Sequence, residues 1–388
     1  MCGESYIANG LRYIKPYYTT RSSHVKGRWL NKLLIDVLTD EFKTHSKDYY
    51  LNQIQLGNYQ LQRKKTNKSP LQNIDTINEL IKNSDLLITK QHKHEPPVKS
   101  WDNDSFKIIY EDDSLLVIDK PAGIPVHPTG QFYLNTITEI IKQQKSISVF
   151  PCYRLDKVTS GLLIFAKNKI TASSIQVKIN NRDMNKIYLA RVKGRFPFCH
   201  TTTTIPDTSS LFKHNSITTT CNIPIYSIDP KKGFPAGLSD SKSATTLFYP
   251  IRYISTSNES IIACKPLTGR THQIRIHLTK LGFPITNDSI YCDNCTLYPQ
   301  RLQFVKDHDR WETSTQSIES QFQKIIDETC KKKDELIPIN SKKCNECDVP
   351  LMNDPNLNQL QIFLHAWQYS DSENTFNYQT ELPQWVNE

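Results

Sequence analysis

The sequence predicts an α+β protein built around a mixed β-sheet. Short apolar segments of strand length and segments of helical periodicity follow one another in irregular order, whereas a doubly wound fold would alternate them regularly. The chain also lacks the glycine-rich patterns G-x-G-x-x-G and G-x-x-x-x-G-K-S/T, so nothing in it indicates a dinucleotide or ATP site. The predicted strands lie at 108–110, 115–118, 162–165 and 188–192, and one helix is marked by Ile137, Ile140 and Ile141.

Length and composition indicate a folded protein of more than one module. The chain has 388 residues, of which 37% are hydrophobic and 22% charged. No run of 18 apolar residues occurs, which argues against a membrane span, and Met1 to Gly10 lack the apolar core of a secretory signal. We therefore expect a cytoplasmic monomer, with a nuclear or mitochondrial pool as the alternative location. The net charge of +9 has the sign that an RNA partner requires.

The N-terminal quarter divides into a basic, aromatic extension over 1–25 and a module over 26–98. Lys26 and Arg28 lie just before Trp29, which offers phosphate contacts beside a stacking surface. The alternative is a solvated face with core aromatics. Within the module, leucines and a valine at helical spacing predict an amphipathic helix over 30–38, followed by a second helix near 49–54 and a strand at 59–62.

An acidic residue stands between an arginine and a turn in the central segment Tyr153–Lys167. Asp156 follows Arg154 and precedes the sequence Thr-Ser-Gly, after which Leu162 to Ala166 form a short apolar run of the buried-strand type. Asp156 is therefore expected at the mouth of a buried element. Taken alone, the segment favours a surface ion pair, and its significance depends on a second segment.

That second segment covers Cys264 to Ile285 and contains Gly-Arg-Thr-His-Gln-Ile-Arg-Ile-His-Leu from Gly269 to Leu278. Together the two segments resemble the RluA-type pseudouridine synthase family, whose patterns are close to H-R-L-D-x-x-T-S-G-L-L-L-F-A-K and G-R-T-H-Q-I-R-x-H-L-x-x-x-G-x-P-I. Other segments also resemble the family. Residues 113–127 are similar to its entry strand with K-P-x-G-x-x-V-H, and residues 186–194 are similar to its strand K-x-Y-L-A-x-V-x-G. Residues 364–366 and 382–385 are similar to its closing segments. Tyr153 departs from the pattern because the family usually has His there, and we expect altered packing without loss of activity.

The resemblance implies a pseudouridine synthase fold with a central mixed, mainly antiparallel sheet over 106–388, with insertions near 196–241 and 296–354. It also implies catalysis without a cofactor, with Asp156 as the catalytic carboxylate, Arg275 as its cationic partner and Tyr188 as the active-site tyrosine. A helix over 271–281, capped by Gly282, would carry Arg275. His272 and His277 are expected to be structural. The RNA-binding residues are then Arg154, Arg270, Lys186, Arg28 and Lys26.

The N-terminal segments narrow the expected substrate. Residues 9–18 and 92–98 resemble the eukaryotic tRNA-directed subgroup, and the module over 26–98 resembles an S4-like RNA-binding domain. This resemblance implies uridine isomerisation in the anticodon stem-loop of tRNA, at position 31 in preference to 32. A ribosomal RNA substrate and a non-catalytic RNA-binding protein are the alternatives. A fused deaminase is not indicated, because the chain lacks a C-terminal H-x-E with P-C-x-x-C.

Two C-x-x-C pairs among the ten cysteines form a separate candidate site. Four thiolates at such spacing suit a tetrahedral structural Zn²⁺, with free thiols or redox chemistry as alternatives. His92 and His94 are not assigned as ligands, because they precede a Pro-Pro linker. The predicted zinc ligands are Cys292, Cys295, Cys344 and Cys347.

Overall fold

The computed structural model describes residues 3–42, 46–64, 70–101, 105–201, 206, 211–212, 217–226, 241–308, 315–335, 342–371 and 376–388. Parts of both predicted insertions lie outside these residues. The strands are β1 (Ser5–Ala8), β2 (Leu11–Ile14), β3 (Tyr17–His24), β4 (Tyr59–Lys64), β5 (Leu71–Asn73), β6 (Leu86–Lys93), β7 (Val98–Lys99), β8 (Lys107–Glu111), β9 (Leu115–Lys120), β10 (Phe150–Pro151), β11 (Ser160–Ala166), β12 (Met184–Lys193), β13 (Thr219–Cys221), β14 (Ile225–Tyr226), β15 (Ser241–Lys242), β16 (Thr246–Ile254), β17 (Glu259–Pro266), β18 (Leu364–Asp371) and β19 (Asn377–Gln379).

Seven α-helices are interspersed among these strands in the described residues. Short 3₁₀ turns also occur at Gly27–Trp29, Leu357–Leu360 and Gln384–Val386, and a π turn covers Leu38–Phe42. The α-helices are α1 (Leu34–Val37), α2 (Lys47–Gln55), α3 (Ile137–Lys145), α4 (Lys169–Asn180), α5 (Gln273–Lys280), α6 (Pro299–Asp307) and α7 (Thr315–Glu335).

The chain forms two compact units. The larger contains Met1–Ile14, Glu95–Lys342 and Pro350–Glu388, and the smaller contains Lys15–His94 and Lys343–Val349. The first 14 residues thus belong to the larger unit, where β2 pairs with β7, rather than to a separate extension over 1–25. Segment 343–349, far along the chain, belongs to the smaller unit although the sequence placed it in an insertion of the catalytic domain.

A ten-stranded sheet organises the larger unit. Its main path runs β13-β16-β17-β12-β18-β11-β9-β8, with β10 beside β11 and β19 beside β18. Every pairing is antiparallel except β11 with β18, so the predicted α+β class with a mixed, mainly antiparallel sheet is confirmed. The predicted strands correspond to β8, β9, β11 and β12, and the predicted helix corresponds to α3. Its three isoleucines are at most 2% exposed.

Gly161 permits the single parallel junction of this sheet. Its φ is +107°, and a Cβ added there would lie 2.2 Å from the carbonyl oxygen of Ala366. A side chain would collide with the backbone of β18, since no rotamer change can move a carbonyl. The glycine of the Thr-Ser-Gly sequence is therefore required by the fold. It lets β18 approach β11 at the point where the turn bearing Asp156 ends.

The smaller unit is built on an antiparallel sheet in the order β3-β6-β4-β5. The predicted amphipathic segment is helical over α1 and continues as a π turn, so that Leu34, Val37 and Leu38 are buried against Tyr50 and Leu61. Ser46 caps α2 by accepting a hydrogen bond from the Tyr49 amide. The predicted helix-helix-strand order is present, while the resemblance to an S4 domain stays a prediction.

Candidate active site

A cavity of about 470 Å³ opens in the larger unit between the turn that precedes β11 and the N-terminus of α5. Its volume lies within the range of about 300–1,000 Å³ that is usual for small-molecule sites. The lining includes six of the eight residues that the sequence assigned to catalysis or RNA binding, namely Arg154, Asp156, Lys186, Tyr188, Arg270 and Arg275. The other two, Lys26 and Arg28, belong to the smaller unit.

Asp156 and Arg275 meet across this cavity although they are 119 positions apart in the chain. Arg275 Nη1 donates to Asp156 Oδ2 at 3.0 Å. The Arg275 side chain is only 3% exposed, whereas that of Asp156 is 29% exposed and thus accessible from the cavity. The predicted carboxylate–guanidinium pair is therefore present, with the carboxylate on its accessible side.

Burial and charge act in opposite directions on Asp156. Burial favours the neutral acid, but the positive charge of Arg275 and the hydrogen bond that it donates outweigh this effect, so the pKa of Asp156 lies below its usual value. Burial lowers the pKa of His272 to about 3, so this imidazole is uncharged near pH 7. Arg275 is consequently the cation that keeps Asp156 ionised at neutral pH.

Asp288 holds Arg275 from the opposite side. Its carboxylate accepts Arg275 Nε at 2.6 Å and Nη2 at 2.8 Å, and it also accepts the amide of Ile290. Asp288 is fully buried, and although burial opposes its ionisation, the charge of Arg275 brings its pKa below the usual value. The guanidinium therefore has a fixed plane, with one nitrogen left to face Asp156. Sequence reasoning missed Asp288; the only signal was a polar Asn-Asp-Ser step between apolar residues.

Helix α5 presents Arg275 because both of its ends are fixed. It begins at Gln273, after His272 in a left-handed conformation with φ 56°, and is slightly shorter than the predicted helix over 271–281. At its other end, the Gly282 amide donates to Thr279 O and the Phe283 amide donates to Leu278 O, which is the Schellman arrangement. Gly282 is therefore the cap that the sequence indicated.

His272 lies in the site, whereas the sequence analysis assigned it a purely structural role. Its Nδ1 is 2.9 Å from the Tyr291 hydroxyl and its Nε2 is 3.6 Å from Asp156 Oδ2. A left-handed backbone at a non-glycine residue is strained, and such strain often accompanies functional positions. His277, in contrast, is fully buried between Thr246 and the carbonyl of Ile223, as expected of a structural histidine.

Lys120, from the K-P-x-G segment, fixes the turn that carries Asp156. It is fully buried, and its ammonium donates to the carbonyl oxygens of Pro121 at 2.9 Å, Lys157 at 3.1 Å and Thr159 at 2.7 Å. Three acceptors match the three donors of an ammonium. Burial lowers the pKa of Lys120 to about 7. The lysine thus ties the end of β9 to the turn that directly follows Asp156.

Three tyrosines form the wall beside Asp156. The Tyr188 hydroxyl lies 2.6 Å from that of Tyr369, and the ring of Tyr153 stacks on Tyr369 with centroids 4.5 Å apart. Tyr153 also donates to the carbonyl of Leu162 at 3.0 Å. The residue that replaces the family's usual histidine is thus accommodated by stacking. Lys186 lies above this pair, 5.7 Å from the Tyr153 ring centroid.

The charges around the cavity suit an anionic ligand. Among the described residues that line it, Asp156 is the one carboxylate, whereas the arginines and lysines are Arg154, Lys157, Lys186, Arg270 and Arg275. Arg154 is exposed, and Arg270 is anchored by its Nε to the carbonyl of Ser243. A phosphate backbone would be attracted to such a rim, while the single carboxylate lies between cations.

The predicted four-cysteine zinc site is not formed. Cys292 and Cys295 lie in the larger unit, where Cys292 is buried and the Cys295 thiol contacts the carbonyls of Thr286 and Asp288. Cys344 and Cys347 belong to the smaller unit and meet His92 and His94 instead. Spacing within a C-x-x-C pair fixes its local geometry, but the tertiary fold decides which segments meet.

Comparison with known proteins agrees with this geometry. The family model for RNA pseudouridylate synthase matches residues 114–280, which include Lys120, Asp156, Tyr188 and Arg275. The tRNA pseudouridine(31) synthase of Saccharomyces cerevisiae is 50% identical over 405 aligned residues, covering 99% of this chain and 97% of that protein. The chain belongs to the RNA pseudouridine synthase family. It is therefore an isomerase, and the predicted fold and RluA-type membership are confirmed.

Two further relatives of this pseudouridine synthase extend the comparison. The mitochondrial tRNA pseudouridine(32) synthase of Saccharomyces cerevisiae is 34% identical, over 99% of this chain and 78% of that protein. RNA pseudouridine synthase 7 of Arabidopsis thaliana is 30% identical, over 99% of this chain and 88% of that protein. The similarity thus includes both compact units. In the described part of the chain, no helix has the length and apolarity needed to cross a membrane.

Proposed function

We propose that this pseudouridine synthase acts on tRNA and isomerises the uridine at position 31 of the anticodon stem-loop. The observation that carries the chemistry is the accessible Asp156 carboxylate, held by Arg275 and surrounded by cations at the cavity rim. The tRNA substrate and the position are supported by the 50% identity to a tRNA pseudouridine(31) synthase over nearly the whole of both chains. Position 32 is the second candidate, since the enzyme named for it is 34% identical.

The proposed reaction needs no oxidant, reductant or cofactor. The C1′–N1 bond of uridine breaks, the uracil turns, and a C5–C1′ bond forms; C5 then loses its proton and N1 gains one, so atoms and electrons balance. Asp156 serves as nucleophile or as electrostatic partner of the cationic sugar, as carboxylates do in glycoside hydrolysis. Arg275 keeps it ionised and oriented, and the ring of Tyr188 supports the base.

RNA binding is assigned to cations at two places. In the larger unit, Arg154 is exposed and hence suited to enter the RNA stack beside the flipped nucleotide, with Arg270 and Lys186 contacting the backbone. In the smaller unit, Arg28 donates both Nε and Nη2 to Glu41, and Lys26 lies 5.3 Å from the Trp29 ring. The Arg28–Glu41 pair is exposed enough to exchange for a phosphate.

The decisive experiment uses purified protein and a transcribed, unmodified tRNA with uridine at positions 31 and 32, without added metal or nucleotide. Uridine labelled with tritium at C5 releases the label as product forms, and position is mapped on the same RNA. We expect product at position 31, its loss when that uridine is replaced by cytidine, and its retention when position 32 is replaced. Product confined to position 32 would refute the position, and product only with ribosomal RNA would refute the tRNA assignment.

The pKa values predict how the rate depends on pH. Below its lowered pKa Asp156 would become protonated and activity would be lost, but between about pH 5 and about pH 6 it is ionised and His272 is neutral. Both pH values lie below the pKa of Lys120, which is about 7, so Lys120 stays charged at each of them. We expect single-turnover rates measured at pH 5 and at pH 6, with saturating enzyme, to agree within about twofold. If a histidine of ordinary pKa acted as the base, the rate would instead rise about eightfold from pH 5 to pH 6.

We further propose that the protein acts as a monomer in the cytoplasm, with a mitochondrial pool. The mitochondrial relative at 34% identity supports such a pool, and the net charge of +9 suits an RNA-binding enzyme. Sedimentation of the purified protein and fractionation of cells that express a tagged chain test the two statements separately.

A further inference from the structure

Four side chains with metal-binding chemistry meet in the smaller unit, and none of them has a role in the proposed mechanism. The cluster consists of His92, His94, Cys344 and Cys347; each offers one ligand atom, and these atoms lie within 4.8 Å of one another. We propose that they bind one structural Zn²⁺ in a Cys₂His₂ site. This inference goes beyond the proposed function and needs no RNA for its test.

The distances fit a tetrahedral zinc ion. Zn–S bonds of about 2.3 Å and Zn–N bonds of about 2.0–2.1 Å place neighbouring S and N ligand atoms roughly 3.6 Å apart. His94 Nε2 is 3.3 Å from Cys347 Sγ, and Cys344 Sγ is 3.6 Å from His92 Nδ1. Two imidazoles and two thiolates in this arrangement are a donor set that zinc prefers over magnesium or calcium.

Both histidines come from the C-terminal end of one strand, β6. His92 lies in β6 and His94 follows just after its end, so they stand two residues apart, as residues on the same face of a strand do. The ring of Tyr18, the register partner of His92 on β3, stacks on His92 at 4.6 Å. This packing holds one imidazole in place and leaves its Nδ1 directed at Cys344.

The two cysteines come from a tight turn at 344–349. The Cys344 amide donates to Val349 O at 3.0 Å, the Asp348 amide donates to Cys344 O at 2.9 Å, and Asp348 has a φ of 55°. The Glu346 amide donates to Cys344 Sγ at 3.4 Å. The turn thus brings both thiols of the C-x-x-C pair to the two imidazoles.

A carboxylate completes the surroundings of the site. Glu346 Oε2 lies 3.8 Å from His92 Nε2, the imidazole nitrogen that would not contact the metal, and it also pairs with the Tyr18 hydroxyl. Zinc-bound histidines commonly donate their free N–H to a carboxylate or carbonyl. The cluster thus has the ligand set of a structural zinc site, with a carboxylate close to the free nitrogen of one imidazole.

Such a site has a clear structural consequence. His92 and Cys344 are 252 positions apart, so one ion would fasten the segment 343–349 to β6, the strand of the smaller unit that carries His92. Joining residues so distant restricts the unfolded chain, and the metal-binding free energy adds to the folding free energy. Zinc would therefore stabilise the smaller unit without a role in the isomerisation.

The test is the zinc content of the purified full-length chain after dialysis against metal-free buffer. We expect about one zinc per chain in the wild type and in Cys295→Ser, and loss of zinc in Cys344→Ser and Cys347→Ser. His94→Cys is the discriminating variant: a thiolate can replace the imidazole as ligand, so zinc should remain. A hydrogen-bonded cluster without metal would give no zinc in any of these proteins.

Measurements on the unaltered protein guard against variants that do not fold. A zinc chelator should lower the wild-type melting temperature and make two more thiols reactive, and added Zn²⁺ should reverse both changes. Wild-type protein that carries no zinc and whose melting is unchanged by added Zn²⁺ would overturn the proposal. A Cys344–Cys347 disulfide in protein isolated without reductant, or zinc lost with Cys295→Ser, would overturn it as well.

Discussion

Replacing Asp156 by Asn should abolish pseudouridine formation while leaving RNA affinity within a few-fold of wild type. The amide has the shape of the carboxylate and can still accept a hydrogen bond from Arg275 Nη1, but it has no negative charge to offer the sugar. We expect the single-turnover rate to fall by at least about 10³-fold, which corresponds to about 4 kcal/mol of transition-state stabilisation. Binding should persist because several cations of the cavity rim remain.

Asp119→Asn is the matched control for this change. Asp119 lies on β9, a strand of the ten-stranded sheet, and does not line the cavity. The same chemical substitution there should leave the rate close to that of wild type. An Asp156→Asn protein that forms pseudouridine at nearly the wild-type rate would remove Asp156 from the mechanism, and a large loss of RNA affinity would assign it a binding role.

The sequence predicted those parts of the site that lie in long continuous motifs. Asp156, Arg275 and Tyr188 could be named because each lies at a fixed position in a motif, and Gly282 because a helix must end where glycine follows an apolar stripe. The strands of the larger unit were found for a related reason: their apolar runs are continuous and bounded by turn residues.

The missed residues act through contacts that form only when the chain has folded. Asp288 follows no periodic pattern, so its bidentate contact with Arg275 is visible only once the loop after α5 has folded back. The same holds for Tyr369, which completes the tyrosine wall from β18. Sequence spacing found Cys344 and Cys347, but their histidine partners could be recognised only when β6 and the turn at 344–349 were placed together.

Asp288 matters because it holds a buried cation that has few other partners. Arg275 is 3% exposed and Asp288 fully buried, so neither can exchange its partner for water. Removing one member of such a pair leaves the other charge buried and poorly compensated. Asp288 contacts no atom that could react; it acts by orienting the guanidinium, and is thus a positioning residue.

We therefore expect Asp288→Asn to lower both the free energy of unfolding and the rate. The amide nitrogen would face the Arg275 donors where a carboxylate oxygen accepted them, at a cost of about 3 kcal/mol in stability. Because Asp156 would keep its cationic partner, its pKa should stay low and the pH dependence of the remaining activity should be unchanged. The measurements are urea unfolding and single-turnover rates at two pH values.

Glu259→Gln is the control for Asp288→Asn. It tests whether a lower rate comes from the lost orientation of Arg275 or simply from the loss of a buried ion pair. Glu259 accepts Arg191 Nε at 2.7 Å and Lys193 Nζ at 3.0 Å, its side chain is 5% exposed, and neither it nor its partners line the cavity. This variant should lose stability but keep its rate at temperatures where it is folded. If Asp288→Asn, measured while fully folded, also kept the wild-type rate, then Arg275 would be oriented well enough by Asp156 and the packing of α5, and Asp288 would serve stability alone.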